Sequence, residues 1–174
     1  MTLAWHFVSD TLRDGRPVPE DGEWLEHDGA LVLCKSGLHA SEDTLDALQY
    51  APGNTLCRVE CAGEMLTSRD KLVCTRRKIL WRIDAEPVLR QFARWCALEV
   101  IDKWDAPDVV RGYLETGRED LRAAAWAAAR DAARAATSAA AWAAARAAAN
   151  AAWDAQREKL LALIEQAREV QGHA

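Results

Sequence analysis

The sequence predicts an α+β protein: a small mixed β-sheet head with one or two short helices, followed by an all-helical, alanine-rich C-terminal region. Three observations predict it. Short apolar runs bounded by Gly, Pro and Asp crowd the first half, as strands do. From about position 85 the apolar residues fall at helical spacing. From Glu119 to Gln171 there is neither Pro nor Gly, and alanine, the strongest helix former, dominates. The expected divisions are a head over 1–84, connecting helices over 85–118, and a long helix or helical hairpin over 119–174.

Leu3 to Val8 reads as the first strand, followed by a polar loop with Gly15, Pro17, Pro19 and Gly22. Ala30-Leu31-Val32-Leu33-Cys34 reads as a short buried strand meeting a tight turn at Lys35-Ser36-Gly37. Ser41 before Glu42, Asp43 and Thr44 reads as a helix N-cap with acids in the first turn; Leu45 and Leu48 give the buried side, and Pro52-Gly53 stops the helix. Thr55 to Cys61 alternates, with Cys57, Val59 and Cys61 on one face and Leu56, Arg58 and Glu60 on the other. A further strand is expected from Lys71 to about Trp81.

Asp84 and Pro87 then open a helix running to Trp104, with Leu89, Phe92, Cys96 and Val100 on one side. Asp105-Ala106-Pro107-Asp108 predicts a restart with a capping Asp and an early Pro, and Gly117 a stop. An unbroken helix from Glu119 to Arg168 would extend about 75 Å, its weakest point being Thr137-Ser138.

Net charge is −5 and unevenly spread: residues 1–84 hold 10 Lys+Arg against 14 Asp+Glu, and residues 119–174 hold 7 against 7. That balance argues against a nucleic-acid partner, since a phosphate-backbone binder needs a basic excess. The start lacks the pattern of a secretory signal, and arginines interrupt the alanine tract too often for a membrane span. Five irregularly spaced cysteines argue against a disulfide framework, so a reducing cytoplasm is the expected location.

Ala125-Trp126-Ala127-Ala128-Ala129-Arg130 recurs as Ala141-Trp142-Ala143-Ala144-Ala145-Arg146, and in altered form as Ala152-Trp153-Asp154-Ala155-Gln156-Arg157. Trp and Arg four apart share a helix face, which suits intrahelical cation–π contact or a protein interface. The intervals of 16 and 11 residues put the three tryptophans on two sides of a continuous helix. Self-association or a protein partner is expected, and no membrane.

Cys34, His39, Cys57 and Cys61 lack the spacing of a zinc site, and Cys57 and Cys61 on one strand would stand about 13 Å apart. No metal and no cofactor are expected. His39 and Ser41, after a turn glycine, are candidates for holding a phosphate or hydroxyl; the plainer role for His39 is to pin the turn. Asp70 and Lys71 open the last strand and join the candidates. Arg76, Arg77, Lys78 and Arg82 read as a solvated edge strand, or as an anion-binding patch.

Leu33-Cys34-Lys35-Ser36-Gly37-Leu38-His39-Ala40-Ser41, Asp46 to Pro52, Arg58 to Glu64 and Asp70-Lys71 resemble an uncharacterised domain common in bacteriophage and prophage proteins. Its members share a C-x-x-G-F/L-H turn, a short helix, an x-V-E-x-x-G strand and a D-K element. The tail is similar to alanine-rich AWAAAR-type segments of phage and immunity proteins. The resemblance implies a phage or mobile-element origin; the reading adopted is an accessory protein that acts by binding, of host-protein-interaction or anti-defence type, with the tail for docking or oligomerisation. A nucleotide-binding, ADP-ribosyltransferase-like enzyme, or a nucleotide sponge, with its site around His39 is the alternative; turnover would need a catalytic Glu, for which Glu60 and Glu64 are the candidates.

Overall fold

The computed structural model describes residues 1–135 and 153–172. Five strands come first: β1 (Thr2–Val8), β2 (Trp24–Glu26), β3 (Leu38–Ala40) and, after helix α1 (Thr44–Leu48), β4 (Thr55–Thr67) and β5 (Leu72–Asp84). Helices follow: α2 (Glu86–Leu98), a 3-10 turn (Ile101–Lys103), α3 (Asp108–Thr116), α4 (Glu119–Ala135) and α5 (Trp153–Gly172). The α+β division is as expected. Every described strand pairing is antiparallel, so the sheet is simpler than a mixed one.

β4 and β5 form a long hairpin closed by the Ser68 N–H to Lys71 carbonyl bond. β1 lies along the free side of β4, and β2 and β3 share the free side of β5, β3 opposite Leu72–Cys74 and β2 opposite Arg76–Lys78. One residue past β3, Ser41 exchanges two backbone hydrogen bonds with Trp5 of β1, at 2.7 and 2.9 Å. The described pairings therefore run β1–β4–β5–β3 and back to β1, a circuit that leaves few open strand edges.

Alternation fills the inside of this circuit with small and branched residues. Cys57, Val59 and Cys61 of β4 are fully buried, together with Ala4, Val8, Ala40, Cys74 and Ile79. Glu60, on the other side of β4, meets Lys78 directly across the sheet at 2.8 Å. At Gly63 a bulge shifts the β4–β5 register, and its left-handed backbone lets the Glu64 N–H reach Thr75 Oγ1 at 3.0 Å.

Several local readings are corrected. Ala30–Cys34 is not a buried strand: Val32 N–H bonds the Ser36 carbonyl and Ser36 N–H the Val32 carbonyl, a tight loop with Val32 exposed. The bridge that this run makes is a local one, Val32 to Ser36, and it joins none of the named strands. Asp43, not Ser41, caps α1, accepting from the Leu45 and Asp46 N–H groups, because Ser41 is held in the bridge to β1. β5 is not an edge strand, for it has neighbours on both sides. The helix opened at Glu86 stops at Leu98 rather than Trp104, and α3 starts after Pro107 with no side-chain cap from Asp105. Gly117 ends α3 in the left-handed conformation, as expected.

The chain divides into two compact units, Met1–Pro87 with the chain from Leu160 onward, and Val88–Lys159. In the first, the end of α5 returns to β5: Arg168 stacks over Trp81 at 4.8 Å, and the Gln171 side chain both accepts from Asp84 N–H and donates to its carbonyl. In the second, α3 packs on α4, Phe92 and Trp95 stack at 6.3 Å, and Arg90 pairs with Glu119 at 3.5 Å. Two of the three Trp/Arg units are described. Arg130 stacks over Trp126 at 5.3 Å and Arg157 over Trp153 at 5.9 Å. Trp142, Arg146 and the Thr137-Ser138 break point lie outside the described residues.

Gly37 sits at the turn into β3 with φ +111°, and a β-carbon there would lie 2.4 Å from Val73 Cγ2 and 2.7 Å from Leu31 Cδ2. Both the backbone conformation and the space exclude a side chain. Gly37→Ala is expected to lower unfolding stability by about 2–4 kcal/mol, combining backbone strain and overpacking, as read from urea denaturation.

Candidate functional site

Within the first unit a cavity of about 490 Å³ opens beside the β1–β3 closure. Its walls come from β1 (Trp5 to Val8), the following loop (Thr11 to Asp14, and Arg16), the loop into β3 (Cys34 to Ser41), Tyr50 after α1, and Lys71 and Arg77 of the hairpin. The head as a whole carries more acids than bases. The cavity does not: Arg13, Arg16, Lys35, Lys71 and Arg77 line it against a single carboxylate, Asp14. Asp14 is itself held by Arg16 at 2.8 Å, which keeps that carboxyl below its usual range.

Strand alternation explains how the basic cluster of β5 divides. Arg76 and Lys78 turn outward, Arg76 bonding Glu26 at 3.0 Å and both cations lying 4.6 Å from the Trp24 ring. Arg82 is fixed by Asp21 and the Pro19 carbonyl. Arg77, between them, turns inward and is only 5% exposed. It stands opposite Cys61, donates to the His39 carbonyl, and has no carboxylate within ion-pairing distance among the described residues. The four side chains therefore do not form one patch.

His39 is held at both imidazole nitrogens. Cys34 N–H lies 2.9 Å from Nε2 and the Gly37 carbonyl 3.1 Å from Nδ1, so the neutral tautomer with Nδ1–H satisfies both. Cys34, with φ 66°, is a non-glycine residue in the left-handed region, and this bond accompanies that conformation. Ser41, 2% exposed, lines the cavity beside it. Lys71 lines it too, with Nζ 2.9 Å from Tyr50 Oη and 4.1 Å from the ring centroid. Asp70 accepts from the Tyr50 hydroxyl and does not line the cavity. Of the other carboxylates considered, Glu60 is engaged by Lys78, and neither it nor Glu64 reaches the cavity.

Reasoning from sequence missed His6, Arg13 and Lys35 as site residues, and it took Arg77 with Arg76, Lys78 and Arg82 as one solvated edge or anion-binding patch rather than as a separate inward group. The signal for two of them was present: His6 shares the inward parity of Ala4 and Val8, and Arg77 that of Ile79. The loop cations carry no such periodicity. Burial, and next the positive charge of Arg77, push the His6 pKa well below the ordinary 6.5; burial also lowers that of His39. Among the described residues no group of three or more His, Cys, Asp or Glu is placed to hold a metal ion.

Fold and cavity together define an antiparallel α+β domain closed around a basic pocket. The model of a domain of unknown function, DUF7666, matches residues 2–91, and the chain belongs to that family. No curated protein and no solved structure matches the chain. No described helix is long and apolar enough to cross a membrane.

Because His6 and His39 resist protonation in the fold but not in the unfolded chain, the unfolded state binds more protons below the ordinary histidine value. Stability is therefore full above about pH 6.5 and falls as the pH drops from there toward the depressed values. Urea denaturation between pH 7.5 and 5 should show this decline, with a shallower slope in His6→Gln.

Proposed function

We propose that the head is a receptor for a small anionic ligand and that it acts by binding, without turnover. The observation that carries this reading is charge segregation: an acidic domain lines its cavity with five Lys and Arg side chains against one carboxylate that is already paired. Arg13 and Lys35 have no ion-pair partner among the described residues, which suits a ligand bringing its own negative charge. The volume lies in the range of small-molecule sites, and Phe7, Leu12, Leu25 and Pro52 supply the apolar wall such sites use. A nucleotide-sized anion fits this description.

Binding is favoured over group transfer by the state of the candidate acids and bases. Asp14 is tied to Arg16, Glu60 is outside the cavity, and both nitrogens of His39 are engaged by backbone. The tail would dock the head to a protein partner or to a second copy; Trp126, 63% exposed beside Arg130, is the side chain on α4 best suited to it. The resemblance of the head motifs and of the AWAAAR repeat supports a phage or mobile-element accessory role in a bacterial cytoplasm.

Calorimetry with pyrophosphate and ADP tests the reading. At least one is expected to bind, to weaken with added salt, to lose roughly tenfold in affinity in the Arg13→Ala/Lys35→Ala double variant, and to be recovered chemically unchanged. Conversion of the bound compound to product would favour an enzyme instead.

A further inference from the structure

Three side chains of the cavity wall carry polar atoms that no described residue takes up, and these atoms stay open to the cavity rather than sealed in the core. His6 comes from β1, Ser41 from the residue that closes β3 onto β1, and Arg77 from β5. Ser41 and Arg77 are 2% and 5% exposed. Neither the Ser41 hydroxyl nor the His6 imidazole makes a side-chain hydrogen bond to any described residue, and Arg77 uses one guanidinium nitrogen on the His39 carbonyl. Buried polar groups are nearly always paired, and an isolated buried charge is costly. All three line the cavity, so whatever occupies the cavity completes them.

We infer that His6, Ser41 and Arg77 form the seat of a phosphomonoester group, which a small molecule presents phosphate-first to the inner wall while its organic part fills the remainder of the cavity. This rests on the anion-receptor reading and names its ligand class. The guanidinium offers a planar fork matched to phosphate oxygens, and a hydroxyl and an imidazole N–H add two further donors on other strands. Donors from three strands suit a group with three terminal oxygens better than a carboxylate with two. A dianion also suits a cavity that Arg13, Arg16, Lys35 and Lys71 line together with Arg77, and whose one lining carboxylate, Asp14, is already paired with Arg16.

The test titrates the full chain with inorganic phosphate, pyrophosphate and succinate, following phosphate by its phosphorus resonance and the site by the His6 ring nitrogen resonances. Phosphate is expected to bind saturably and shift the His6 resonances, with succinate at least tenfold weaker. Ser41→Ala should weaken phosphate about three- to tenfold, and Arg77→Lys, which keeps the charge but loses the fork, about tenfold or more. If Arg77→Lys does not fold, Ser41→Ala decides. Phosphate binding that is equal in wild type and Ser41→Ala and leaves His6 unmoved overturns the seat. In that case the receptor reading survives if pyrophosphate still weakens in Arg13→Ala/Lys35→Ala. If neither these three anions nor ADP binds the wild type, both fall.

Discussion

The architecture of the head depends on two backbone hydrogen bonds, those between Trp5 and Ser41. They join the outer side of β1 to the end of β3 and turn a twisted antiparallel sheet into a closed circuit. Closure fixes register on every strand it links, because a slip of one residue would send each inward side chain outward. It also limits the room inside. Ala4, Ala40, Cys57, Cys61 and Cys74 are small members of that interior, packed with Val8, Leu38, Leu72 and Ile79. Gly37 is part of the same constraint, since the chain must turn sharply past Val73 to bring Ser41 to Trp5.

Within so small a circuit a buried arginine is an expensive occupant. Removing a guanidinium from water costs several kcal/mol unless its donors and charge are matched. Around Arg77 the structure supplies one carbonyl and three thiols; burial pushes the Cys57 thiol up to about 11, the hydrogen bond with Cys74 and then burial push Cys61 upward, and that same bond lowers Cys74. The neighbouring His6 is held neutral by burial and by the same guanidinium. Local sequence choices that oppose stability are concentrated at functional sites, and this one lies in the wall of a basic cavity in an otherwise acidic domain.

Much of the fold was legible because periodicity survives in single strands and helices. Cys57-Val59-Cys61 alternated visibly, β1 and the hairpin strands fell where their apolar runs lay, and Gly117 marked a helix end as a residue without a side chain can. What failed was everything decided by neighbours. Ala30–Cys34 has strand composition, yet its bridge is the local one between Val32 and Ser36. Ser41 has cap chemistry, yet a long-range bridge to Trp5 holds it and leaves capping to Asp43. The charged run on β5 looked like an edge; the two short strands that flank β5 pair with residues 50–54 (β2) and 32–36 (β3) positions later and announce themselves weakly. At the site, the Gly37–Ser41 corner was recognisable from its turn chemistry, whereas the inward turn of Arg77 required knowing which face of β5 was inside.

The central claim is that the cavity exists to complete Arg77 with an anion. A crystal of the full chain soaked in tungstate, a phosphate-shaped anion with strong anomalous scattering, tests it most directly. The account predicts an anomalous peak inside the cavity, within hydrogen-bonding reach of the Arg77 guanidinium and the Ser41 hydroxyl. Tungstate found only on outward-facing cations such as Arg76, with water alone against Arg77, would contradict it.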